Sequence, residues 1–110
     1  MTRTQRMTAT DVAQRAGAAR AHLQIAEESF LLATASAEPS ADAQASAANS
    51  VLAGIAASDA ICGKTLSVRP AGQDHNSATR LLADVTPDGL RISSKLGRLL
   101  SDKTQAQYGN

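Results

Sequence analysis

The chain has 110 residues, enough for one domain and too few for a second sizeable core. Alanine dominates, strand-favouring β-branched residues are sparse, and Phe30 and Tyr108 are the only aromatics, a composition that predicts an all-α fold. The net charge of +1 gives no support to strong non-specific nucleic-acid binding, and a single cysteine, Cys62, excludes an intrachain disulfide and a thiolate metal cluster.

Residues 1–9 are polar and are expected to be disordered. They lack the apolar block that would make a secretory signal, and the longest apolar run, Val51 to Ala57, is far below the ~18 residues of a membrane span. A soluble cytoplasmic protein is the default expectation. Thr10 or Asp11 is suited to cap a first helix over 10–36. Within it Val12, Ala16, Ala19, Leu23, Ala26, Phe30 and Ala33 repeat at alternating steps of four and three, a seam fit to pair with another helix. His22, one place before the stripe, reads as solvated.

Residues 37–45 form a connection in which Pro39 ends or restarts a helix. A second helix is expected from about 41 to 66. Ala48, Leu52, Ile55, Asp59, Cys62 and Leu66 form one stripe along it, with Asp59 as a carboxylate in an apolar seam. Burial of a lone carboxylate is costly, so Asp59 should be protonated or matched by a donor. Gly54 and Ala53, Ala56, Ala57 and Ala60 keep this helix thin, which allows close approach by its neighbours. Cys62 on the stripe reads as a buried space-filling thiol. Gly63-Lys64-Thr65 lacks the upstream glycine of a phosphate-binding loop.

Pro70 and Gly72 break the chain within a second connection, 67–73. Asp74 is suited to cap a third helix, His75 to Val85, with Ala78, Leu81, Leu82 and Val85 on its inner face. After Thr86-Pro87-Asp88 a fourth helix is expected over about 88–103, carrying Ile92, Leu96, Leu99 and Lys103 on one stripe with Leu90 and Leu100 beside it. Arg91, Lys95 and Arg98 form a basic ridge on its outer face, either a solvated surface or a nucleic-acid contact.

Four polar residues are candidates for a shared pocket: Asp59, His75, Lys103 and Tyr108. Asp59 and Lys103 each stand where an apolar residue is expected, so an ion pair that fixes helix register, or a small pocket for phosphate or nucleotide, accounts for them. His75 reads most simply as a first-turn surface residue. No histidine and carboxylate set has metal-ligand spacing, and no cofactor is expected.

Two resemblances bear on function. Asp11-Val12-Ala13-Gln14-Arg15-Ala16-Gly17 resembles the opening of the helix-turn-helix in the LacI class of bacterial repressors, which would place a turn at Gly17 in a DNA-binding regulator over 10–30. Ala48-Asn49-Ser50 with Leu52 to Cys62, Asp74-His75 with Ala78 and Leu81-Leu82, and Leu99-Leu100, Lys103, Ala106 and Tyr108-Gly109 resemble HEPN-type domains over about residues 46–109. That resemblance implies an up-and-down antiparallel bundle of four main helices, usually paired as a symmetric homodimer. It also implies a bacterial stress, toxin–antitoxin or defence setting, in which many members are metal-independent RNases. The RNase motif is an arginine followed four to six residues later by a histidine. Here Lys103 and Tyr108 stand at those places. Lysine lacks the guanidinium fork, and a phenol with pKa near 10 is a poor base at neutral pH. The expectation is a binding or interaction domain without catalysis, with a homodimer, a protein, or RNA or nucleotide as partner. A variant Lys–Tyr RNase is the alternative.

Overall fold

A computed structural model describes residues 3–35, 41–71, 75–85 and 88–108, with side chains described at 79–85 and 88–101 in the last two segments. The element order is β1 (Thr4–Arg6), α1 (Ala9–Thr34), α2 (Ala41–Leu66), β2 (Val68–Pro70), α3 (His75–Ala83) and α4 (Gly89–Tyr108). The chain is mostly helical, as the alanine-rich composition requires, with a small two-stranded sheet beside four helices.

The sheet corrects the expectation for the N-terminus. Thr4, Gln5 and Arg6 pair antiparallel with Pro70, Arg69 and Val68. Backbone bonds from Met7 N to Ser67 O (2.9 Å) and from Ala71 N to Arg3 O (3.0 Å) extend the ladder at both ends. Strands of three residues carry no readable alternation, and Pro70 is tolerated because it ends a short edge strand. The ribbon therefore stands where the sequence suggests a frayed end and a plain connection.

Helix α1 starts earlier than expected. Thr8 is its cap: the Thr8 hydroxyl accepts from Asp11 N (3.1 Å), and Asp11 Oδ2 accepts from Thr8 N (2.8 Å), a reciprocal capping box. The helix then runs unbroken through Gly17 to Thr34. Residues 10–30 thus do not form two helices joined by a turn, and the helix-turn-helix geometry is absent from them. Gly17 is simply a glycine within a long helix, at a cost of ~1 kcal/mol relative to alanine.

Helix α2 has the expected bounds and ends on Ser67, whose φ of 64° is left-handed. Ser67 N donates to Gly63 O at 3.0 Å, closing the helix, and the reversal carries the chain along β1 as β2. Helix α3 stops at Ala83, two residues before the expected end, where Asp84 N and Val85 N turn to Leu81 O and Leu82 O. Helix α4 continues to Tyr108, beyond the expected 103.

Helix α2 is the centre of the packing. Helix α1 lies along it, while α3 and α4 pack on each other and on α2, and among the described residues no comparable contact joins α1 to α3 or α4. The main core lies among Cys62, Leu81, Leu82, Val85 and Leu96, with Ile61, Leu66, Val68, Ile92, Leu99 and Leu100 partly buried around it. Close approach depends on glycine, as expected for Gly54: a Cβ there would stand 2.7 Å from Leu99 Cδ2. A Cβ on Gly63 would stand 2.5 Å from Met7 Sδ and 2.8 Å from Val12 Cγ2, so Gly63 does the same for α1.

The series arrangement explains where the expected stripes fail. From Gly54 onward α2 is covered by α4 as well as α1. Among the described residues, α3 and α4 make no comparable contact with α1, and many side chains on the later half of α1 are exposed. Leu52 is accordingly 46% exposed and Ala48 exposed, while Val51 is buried instead. On α1, Ala26 is buried, but Leu23 and Phe30 of the expected seam are 49% and 58% exposed. By length and composition alone α2, which contains an 18-residue stretch of mean hydropathy 1.2, is apolar enough to cross a bilayer, a property shared by helices at the centre of a packed protein.

Candidate functional site

Asp59 sits in the middle of α2 and is buried. The sequence requires a matching donor, and two arginines supply it. Arg15 of α1 places both Nε and Nη2 3.2 Å from Asp59 Oδ2. Arg69 of β2 places Nη1 3.7 Å from the same oxygen, while its Nη2 donates to Gln5 Oε1 at 3.1 Å. One carboxylate thus ties α1, α2 and the ribbon together. Desolvation nevertheless dominates and raises the Asp59 pKa, with the nearby Arg15 and Arg69 charges and the Arg15 hydrogen bond pulling the other way. Both guanidiniums remain about one-third exposed at their side chains, so water screens part of the attraction.

Of the expected pocket of Asp59, His75, Lys103 and Tyr108, only Asp59 has a described side chain. Asp59 is turned toward α1 and β2, whereas α4 packs on another face of α2, through Leu96 and Leu99 against Gly54. On the backbone, His75 opens α3, and Lys103 and Tyr108 lie in the last turns of α4. Their side chains lie outside the described residues, as does Asp74. The Asp59 partners that sequence reading missed are Arg15 and Arg69. Arg15 carried a signal, since it lies three residues past Val12 of the α1 seam, but Arg69 sits in a segment whose strand was not legible.

His22 is half-buried rather than solvated: its Nδ1 lies 3.2 Å from Asn49 Oδ1 on α2. Ser46 Oγ donates to Ala26 O at 2.8 Å, a second polar tie between the helices. Cys62 is fully buried, and burial pushes its thiol up to about 11; the nearby Ser58 hydroxyl opposes the shift, and the charges of Asp59 and Asp84 add to it. Ser58 Oγ lies near that thiol without reaching hydrogen-bond geometry and is buried with no partner. Gly63, Lys64 and Thr65 are in the last turns of α2, so they form no phosphate loop. Arg91, Lys95 and Arg98 are all exposed along α4, with Arg91 3.8 Å from Asp88. Among the described residues no group of three histidine, cysteine or acidic side chains is placed to hold a metal ion.

An open apolar groove lies on the α1–α2 arm. Leu23, Ala26, Glu27, Phe30 and Leu31 of α1, with Ser46 and Ser50 of α2, line an open groove of about 450 Å³. Leu31 is 68% exposed beside Leu23 and Phe30. Exposed apolar side chains gathered in this way mark contact surfaces more often than they mark reaction centres. Comparison with family models, curated proteins and solved structures finds no match to this chain.

Proposed function

We propose that this chain is a non-catalytic helical interaction module, HEPN-like in kind, that acts as a homodimer paired through α1 in the cytoplasm of a bacterium, in a stress or defence setting. The observation that carries the pairing is a stripe on α1 that shares Ala16, Leu23 and Phe30 with the seam expected from sequence and that packing on α2 leaves largely exposed. Ala13, Ala16, Arg20, Leu23, Glu27, Phe30 and Thr34 follow at alternating steps of three and four, and every one is exposed or half-buried.

The stripe is complementary to itself when reversed. An antiparallel crossing of two α1 helices about Leu23 sets Arg20 of each copy within one residue, about 1.5 Å along the axis, of Glu27 of the other. The same crossing sets the small Ala16 of one copy opposite the bulky Phe30 and Leu31 of the second. The result is an isologous interface with an apolar centre and two charge pairs. It also covers the exposed side chains on the later half of α1, so that α1 and α2 of both copies close into a four-helix arrangement.

A charge-swap cycle tests the pairing. Arg20→Glu or Glu27→Arg alone is expected to weaken self-association several-fold, and the double variant to restore it. Loss in both singles without restoration removes this register. Incubation with RNA in EDTA tests the absence of catalysis: no cleavage above the level of Lys103→Ala is expected, and cleavage lost in that variant would replace the binding module with a nuclease.

A further inference from the structure

A different region carries a ligand site. Gly54, Ala57, Ser58 and Ile61 of α2, Leu82 of α3, and Ile92, Lys95, Leu96 and Leu99 of α4 enclose a cavity of about 200 Å³ that opens to solvent. We propose that it binds a small amphiphilic anion: an unbranched carboxylate of about six to eight carbons, by scaling from apolar cavities of about 150 Å³ that take benzene. The alkyl chain lies among Ile61, Leu82, Ile92, Leu96 and Leu99, and the carboxylate lies at Lys95.

Two observations support this assignment. The walls are aliphatic apart from Ser58 and Lys95, so they suit a chain without polar groups. The cation at the rim is exposed and belongs to a ridge with Arg91 and Arg98. Residues 89–101 of α4 include no acid, and among the described residues no carboxylate is within ion-pair distance of Lys95. The ridge read from sequence as a solvated or nucleic-acid surface thus borders an apolar cavity, an arrangement that matches a charged head and a hydrocarbon tail.

The site is independent of the α1 pairing and is tested on the native protein. Sodium octanoate, held below its micelle-forming concentration, is titrated while the methyl resonances of Leu82, Ile92 and Leu96 are followed, with 1-octanol as an uncharged comparison. Saturable shifts of these methyls are expected with both. Ala57→Leu, which fills the cavity, should weaken both at least tenfold; if that variant does not fold, Ile61→Phe fills the same wall. Lys95→Gln should weaken octanoate about two- to fivefold, the range of a partly exposed charge pair, and leave octanol unchanged. Absence of saturable shifts, undiminished binding by a folded cavity-filling variant, or equal octanoate binding by Lys95→Gln would each overturn the proposal.

Discussion

Arg15 and Asp59 meet through two nitrogens and one oxygen: Nε and Nη2 each lie 3.2 Å from Oδ2. The pair joins the first third of α1 to the middle of α2, and Arg69 joins β2 to the same oxygen at 3.7 Å. A buried carboxylate in this position fixes which faces of the two helices meet, since any other rotation of α2 would leave Asp59 desolvated without a donor. It carries structure at the ribbon end of the α1–α2 arm, away from the far end where the pairing is proposed.

Removing the donor should therefore be costly. Arg15→Ala leaves Asp59 with only the longer contact to Arg69, and we expect destabilisation of about 1–3 kcal/mol, below the range for a fully buried pair because Arg15 is partly exposed. Urea unfolding at neutral pH measures it, and a change within experimental error would show the pair to be incidental.

The pH dependence of Asp59 has a defined sign. Its folded pKa lies above the ordinary 3.8, so the folded state holds this proton more tightly than the unfolded chain. Its stabilising contribution is fully present below the unfolded pKa and is lost as pH rises through the folded pKa. The stability of the native protein relative to Asp59→Asn should fall across that window. Asp11 has the opposite sign. The backbone and side-chain hydrogen bonds with Thr8 hold its carboxyl below the ordinary value, so its contribution is present above the unfolded pKa and is lost as pH falls through the folded one. Denaturant midpoints for Asp59→Asn and Asp11→Asn across the acid range separate the two, and a rising native advantage over Asp59→Asn with pH would contradict this account.

Ser67 occupies a left-handed position at the end of α2 that glycine adopts at little cost. Ser67→Gly is expected to stabilise the fold by up to about 1 kcal/mol, with thermal melting as the readout. Gly63→Ala should do the reverse. The added methyl meets Met7 and Val12, which pack directly on α2 at this position, and overpacking of this kind costs about 1–3 kcal/mol.

Cys62 combines full burial with a thiol pushed up to about 11. Thiolate is the reactive form, so native protein at pH 8 should resist iodoacetamide and react only as it unfolds. Rapid labelling of the native state would place the thiol outside the core.

The helices were legible because each is long enough to repeat its pattern. The bounds of α2 follow from its composition and flanking breaks, and Leu81, Leu82 and Val85 lie buried where their spacing puts them. What was not legible has one physical source: contacts between residues far apart in sequence. Arg6 pairs with Val68, and Arg69 reaches Asp59, through a three-residue strand that has no period of its own. Leu23 and Phe30 share a stripe with Ala26, but periodicity alone does not say how many helices surround α1. The need of Asp59 for a donor was readable from its place in an apolar seam, whereas the identity of that donor depended on the fold.

Sedimentation equilibrium of the native chain beside Leu23→Glu, at matched concentrations, tests the central proposal most directly. The account predicts a concentration-dependent dimer for the native chain and a folded monomer for the variant, because the substitution places two carboxylates at the centre of the crossing. A native chain that remains monomeric at high concentration, or a variant that associates equally well, would contradict pairing through α1.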